Sequence, residues 1–463
     1  MSAPEPVLQR RRCGVLLHPT ALPAQHGVLG AAARAFIDWL AAAGCSVWQV
    51  LPLGPVGADR SPYWVRSDQA GNPQLIDTRE APDPLAARAQ FADYCATQAG
   101  WLEDYVLYAA LSRAHDTAPW WTWPAELKQR EPAALAHARA RLGAELHELR
   151  VEQWQFAQQW SALRAYAHER GVCLFGDLPI YVAPDSVATW VQREQFQLRS
   201  SGEPAALAGV PPDYFSADGQ LWGNPLYDWS RAQSDEFAFW RQRFAAQLQR
   251  VDLLRIDHFR GLAAYWSVPA GALTARDGHW VEAPGAALLA RLRTAHDGLP
   301  VVAEDLGLIT PDVDALRRQF ALPGMRVMQF GFDGSADNPH LPHNYTRDTV
   351  AYTGTHDNDT SLGWYRSLDA LAARRVDEYL GCDGAHMPGA LLRAALASVA
   401  VLAVAPLQDL LALGSEARFN TPGTITGNWS WQFAAGALSG QLAGQLLAMN
   451  ERYGRIVRYP LQP

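Results

Sequence analysis

Eight short β-rich runs, separated by stretches of helical periodicity, constrain this chain more than any other feature. They are Gly14–Leu22, Ser46–Leu53, Val172–Val182, Val251–Phe259, Val301–Leu306, Met325–Phe330, Thr349–Thr355 and Val399–Val404. Strands that alternate with helices pair in parallel, because each crossover helix returns the chain to the start of the next strand. Eight is the number that closes such a sheet on itself. The expected fold is therefore α/β, a (β/α)8 TIM barrel with largely helical insertions at the C-terminal face. The eighth run lies in alanine-rich surroundings and fits a helix as well as a strand. A doubly wound open sheet is the competing architecture, but the chain has no GxGxxG or GxxxxGK[ST] loop.

With 463 residues the chain is long enough for one enlarged barrel, and we read 1–463 as a single catalytic unit. The strands are unevenly spaced. Residues from about 59 to 170, after the second strand, form a long excursion. Most of it, Leu85–Gly171, is rich in Ala, Leu, Glu, Arg and Gln and is broken near Pro119 and Pro124, as expected of a helical insertion. A second excursion, about 200–229, follows the third strand and contains Gly209, Pro211, Pro212, Gly219 and Gly223. It reads as a shaped active-site lid loop whose Tyr214, Phe215 and Trp222 would cover a substrate.

Charge narrows the partners. Thirty-nine basic residues stand against 47 acidic ones, a net charge of −8 with no block of either sign. Neither a nucleic acid nor an anionic membrane surface is expected. Arg10, Arg11 and Arg12 are followed by an apolar stretch of only Gly14–Leu17, too short for a secretory h-region. The longest uncharged apolar run, Ala394–Leu407, is too short to span a bilayer. Five scattered cysteines, never spaced CxxC, read as reduced thiols. A cytoplasmic protein, monomeric or weakly self-associating, is the expectation.

Four strands end in charge. In "LLRIDHF" Leu253, Arg255 and Asp257 share one face, since side chains two apart on a strand point the same way. Arg255 beside Asp257 favours the carboxylate form, although an Arg-x-Asp alone is equally a structural ion pair. In "VVAEDLG" Glu304 points with Val302 and Asp305 points away. A glutamate in an apolar mouth stays protonated and suits a general acid, while Asp305 reads as a brace. "YTGTHDNDT" adds His356 and Asp357, and "FGDLPIYV" adds Asp177. Four such ends make an acidic pocket that folding alone would not select. An ionised carboxylate paired with a protonated one is the pair that cleaves a glycosidic bond.

No metal or other cofactor is expected. Asp357, Asp359 and Ser361 begin like a calcium loop, but its sixth and twelfth positions are Leu362 and Leu368, where glycine and glutamate are required. His356 has no ligand at zinc spacing, and His18 lacks an HxH partner.

The segments "LLRIDHFRG", "VVAEDLG" and "TGTHDNDT" resemble the signature regions of the α-amylase superfamily. Within it they resemble the 4-α-glucanotransferases (amylomaltases, disproportionating enzymes) of glycoside hydrolase family 77. Further resemblance lies in "LHPTALP", "WQVLPLGPVG" with "SPY", "GDLPIYVAPDS", "APLQDLLALG", "RFNTPGTITGNWSW" and the 209–229 segment, which ordinary amylases lack. It implies Asp257 as nucleophile, Glu304 as general acid/base and Asp357 as the carboxylate that holds sugar hydroxyls in the transition state. It also implies that Arg255, His356 and Tyr63 flank the first donor sugar, and that Asp177, Trp222 and Asn224 contact substrate. The family's usual arginine after "NWxW" is replaced here by Gln432, away from any catalytic position. The implied partners are maltooligosaccharides and α-1,4-glucans, and the implied reaction is retaining transfer, which can release glucose or close cyclic glucans. An α-glucan hydrolase and a non-catalytic glucan-binding relative are the alternatives.

Overall fold

The computed structural model describes residues 7–212, 216–296 and 298–457. Tyr214 and Phe215, expected on the lid, lie outside them. Among the described residues the strands are β1 (Arg12–Leu16), β2 (Val47–Gln49), β3 (Cys173–Pro179), β4 (Ala206–Val210), β5 (Gln220–Pro225), β6 (Leu253–Asp257), β7 (Ala264–Pro269), β8 (His279–Glu282), β9 (Val301–Ala303), β10 (Gly324–Val327), β11 (Thr349–Tyr352) and β12 (Leu402–Pro406).

Eight of these close a barrel in the order β1-β12-β11-β10-β9-β6-β3-β2. All eight pairings are parallel. Each of the eight expected runs supplies one barrel strand, and the eighth run resolves as strand β12, preceded by the helix Gly389–Ala397. Helices cover the outer face, so strands such as β1, β3, β11 and β12 are buried at every residue. Helix Pro311–Gln319 is typical of the shell. Proline opens it, Asp312 and Asp314 lie in its first turn and Arg317 and Arg318 in its last, all matched to the helix dipole.

Between β2 and β3 run the helices Arg88–Ala114, Ala125–Lys128, Pro132–Arg141 and Gly143–Glu169. The last has 27 residues, a rod of about 40 Å. Its Leu146 and Leu149 pack with Leu102, Trp120, Trp123 and Trp190 in a core belonging to the excursion. Its Phe156, Trp160, Leu163 and Ala167 pack in the barrel core. One helix therefore belongs to both. Asp185, in the loop after β3, ties the two further by accepting from Arg66, the Tyr108 hydroxyl (2.8 Å) and the Trp120 amide (3.1 Å).

Within the 200–229 segment the described residues include two strands. They form the hairpin β4–β5, which joins β7 and β8 in an antiparallel sheet of order β5-β4-β7-β8. Gly219 makes the hairpin turn at φ 67°, where a Cβ would stand 2.4 Å from the Val210 carbonyl oxygen. Its glycines mark the turn and the bends of strands, and so resemble loop signals.

Candidate active site

The barrel register places the charged side chains. Asp177 on β3 lies opposite Arg255 on β6, and Ile256 on β6 lies opposite Ala303 on β9. Asp257 and Glu304 are the next residues along their strands. The ladder runs on past the strand ends, with the Glu304 amide donating to the Ile256 carbonyl (3.1 Å) and the Phe259 amide to the Glu304 carbonyl (3.1 Å). The two carboxyl-bearing residues are thus held side by side at the C-terminal rim.

Arg255 sits between two carboxylates. Nη1 donates to Asp177 Oδ2 at 2.6 Å and Nη2 to Asp257 Oδ1 at 2.5 Å. The side chains of Asp177 and Arg255 are 0% and 6% exposed, whereas that of Asp257 is 30% exposed. The Asp257 carboxylate is therefore the one that opens onto the cleft. The Tyr63 hydroxyl donates to the same Asp177 Oδ2 at 2.7 Å. Asp177, implied as a substrate contact, is instead sealed beneath the cleft as the anchor of Arg255 and Tyr63. Burial raises its pKa, Arg255 opposing that rise.

Glu304 is half-buried. Its Oε2 accepts from the His258 amide at 2.7 Å and its Oε1 from the Leu306 amide at 3.0 Å. Desolvation, aided by the charge of Asp257, pushes its pKa up to about 8 against the opposing pull of Arg255 and the two amides. It is mostly protonated at neutral pH. Asp305 turns away and accepts from the Met325 amide (2.6 Å) and Arg326 (3.1 Å), a brace to β10.

Asp357 follows β11 and faces the cleft, its side chain 46% exposed. Its Oδ1 accepts from Asn420 Nδ2 at 2.7 Å, and Arg418 Nη2 donates to its carbonyl at 2.7 Å. His356 lies 3.4 Å from its Oδ2. The His356 ring stacks on Tyr63 with centroids 5.2 Å apart and 16° between planes, and Trp429 closes both at 6.0 Å. The loop keeps its shape through the buried Asp409, which accepts from the Thr353 hydroxyl (2.6 Å), the Ser361 hydroxyl (2.6 Å) and the Ser361 amide (2.7 Å).

Trp222 and Asn224 differ in their placement. The Trp222 ring meets His258 edge-on with centroids 4.7 Å apart, beside Asp257. The Asn224 side chain is buried and donates to the Val182 carbonyl at 2.8 Å, so its amide nitrogen is a brace for the loop after β3. Arg243 holds the same loop by donating to the carbonyls of Pro179 (2.6 Å) and Ile180 (3.0 Å) while paired with Asp68. Among the described residues no group of three or more His, Cys, Asp or Glu is arranged to hold a metal ion. His18 is buried, and desolvation lowers its pKa to about 3.

The family model described as 4-alpha-glucanotransferase, glycoside hydrolase family 77, matches residues 17–88 and 78–438. The chain belongs to this family. The 4-alpha-glucanotransferase of Synechocystis sp. is 44% identical over 97% of this chain and 99% of its own. That of Thermus thermophilus is 44% identical over 96% and 99%. The amylomaltase of Streptococcus agalactiae, solved in complex with acarbose, superposes with a TM-score of 0.92 at 32% identity, covering 97% of this chain and all of its own. The amylomaltase of Corynebacterium glutamicum, at 17% identity and a TM-score of 0.75, shares the fold.

Family 77 members are 4-alpha-glucanotransferases, and the chain is an enzyme of that class. Three members of its site carried no assigned role in the sequence. Asn420 and Arg418 lie in "RFNTPGT" and Trp429 in "NWSW", motifs that marked the family without revealing what they touch. Gln432 donates to the Thr20 carbonyl at 3.0 Å, so the residue in place of the usual arginine ties its loop to the one after β1.

Proposed function

We propose that this family 77 enzyme transfers α-1,4-glucan segments between maltooligosaccharides by a retaining double displacement. The observation that carries this reading is the pairing of Asp257, open to the cleft and hydrogen-bonded to Arg255, with the neighbouring Glu304, whose pKa lies near 8. Asp257 attacks the anomeric carbon while Glu304 protonates the departing oxygen. Forming the glycosyl ester removes the negative charge of Asp257, one cause of the raised pKa of Glu304. Glu304 then gives up its proton more readily and acts as base for the incoming hydroxyl. Asp357, oriented by Asn420, holds sugar hydroxyls as the ring flattens, and the Tyr63–His356 stack flanks the donor sugar.

Transfer rather than hydrolysis requires that a sugar hydroxyl, not water, reach the intermediate. The hairpin β4–β5, whose Trp222 packs edge-on against His258, the residue after Asp257, supports the cover role for residues 200–229, and the excursion at 59–170 forms an outer wall. A reducing, cytoplasmic setting fits the five free cysteines.

Incubation with maltotriose tests the reading. Glucose and a ladder of shorter and longer maltooligosaccharides at constant total reducing ends support transfer. A rise in reducing ends supports hydrolysis, and unchanged maltotriose supports a non-catalytic binder. Asp257→Asn, run in parallel, should abolish the ladder without unfolding the protein.

A further inference from the structure

His258 directly follows Asp257, and its backbone stands in the left-handed region at φ 53°. Few non-glycine residues adopt this region, and histidine is, with asparagine and aspartate, among those that do so most readily. Two contacts accompany it. The His258 amide donates to Glu304 Oε2 at 2.7 Å. Its imidazole meets the Trp222 ring at 86°, with centroids 4.7 Å apart. Gly261 leaves room on another side, since a Cβ there would stand 3.1 Å from His258 Cδ2. Trp222 belongs to β5 in the antiparallel sheet, and Glu304 follows β9 in the barrel. His258 therefore connects the second sheet to the acid.

We infer that His258 is a positioning residue: Trp222 holds its imidazole, and the held imidazole keeps the left-handed amide aimed at Glu304 Oε2. The seat of the β4–β5 hairpin thereby sets the orientation of the acid and its readiness to release a proton. The inference rests on Glu304 acting as the acid/base. The charged groups acting on Glu304 are Arg255 and Asp257, both from β6. His258 adds no charge at working pH, because burial lowers its imidazole to about 4. Its influence is exerted through the N–H. A donor to a carboxylate favours the ionised form, so a loosened amide raises the pKa of Glu304.

The test is the pH dependence of maltotriose disproportionation in His258→Asn, Trp222→Ala, the double variant and Glu304→Gln, with folding checked by circular dichroism. Asparagine tolerates the left-handed backbone but removes the ring contact; Trp222→Ala removes the same contact with His258 intact. The alkaline limb of kcat/KM should move to higher pH in both, with kcat at neutral pH reduced about tenfold, and the double variant should lose no more than one single. An unmoved limb in both single variants, or losses that multiply in the double, overturns the inference. Full activity in Glu304→Gln overturns the acid/base reading and the inference with it. An inactive Glu304→Gln beside unaltered His258→Asn and Trp222→Ala refutes the inference alone.

Discussion

Arg255 reaches Asp257 from an anchor on Asp177, a carboxylate whose side chain is wholly shielded from solvent. The guanidinium is thereby fixed on its buried side while its other end faces the cleft. Removing the anchor leaves a buried cation with one partner fewer and frees the Tyr63 hydroxyl. Breaking a buried pair costs about 3–5 kcal/mol. Asp177→Ala should fall near the lower figure, since Asp257 remains a partner, and denaturant unfolding measures it. Its kcat should fall as well, because both Arg255 and Tyr63 lose their seat.

Glu304 couples stability to pH. Its pKa rises from the ordinary 4.5 to about 8 on folding, so the folded chain keeps a proton that the unfolded chain releases. The sign follows from linkage: this contribution is full below 4.5 and is lost as pH rises to about 8. Glu304→Gln, neutral at every pH, should match the parent near pH 5, melt higher near pH 8, and be inactive at both. Calorimetry at the two pH values checks it. An equal melting temperature for the two proteins near pH 8 would contradict the burial of this acid.

Asn420→Ala removes the 2.7 Å hydrogen bond to Asp357 Oδ1. A hydrogen bond to a charged group is worth about 1.5–3 kcal/mol. If it serves the transition state, kcat/KM for maltotriose should fall at least about tenfold while the thermal midpoint barely moves. Initial rates of glucose release decide it.

Arg243→Met retains the apolar stem but takes the guanidinium away from the Pro179 carbonyl and the Asp68 carboxylate, while the Ile180 carbonyl keeps the Tyr227 hydroxyl at 2.6 Å. We expect a loss of about 3 kcal/mol or more, visible in urea unfolding. The loop after β3 also lies under Asn224, so a higher KM should accompany it.

The barrel was legible because parallel strands buried on both faces are written as continuous apolar runs, and their charged ends mark the rim. Asp257 and Glu304 stood out by breaking that pattern. The second sheet did not. β4 and β5 are short, carry Gly209 and Gly223 and are joined through Gly219, and β7 follows the "RIDHFRG" motif without a turn signal between them. Asp177 and Asn224 were readable as polar residues near the site, but their bonds to Arg255, Tyr63 and Val182 are created by the barrel register and the hairpin. Asn420 meets Asp357 across 63 residues, a separation that no local pattern spans.

The helix Gly143–Glu169 has a consequence for how the cleft can move. With one half rooted among the staves and the other inside the outlying helical cluster, it acts as a cantilever beam rather than a hinge. Tilting that flank of the cleft would mean bending a continuous hydrogen-bonded rod or prying its base from the barrel.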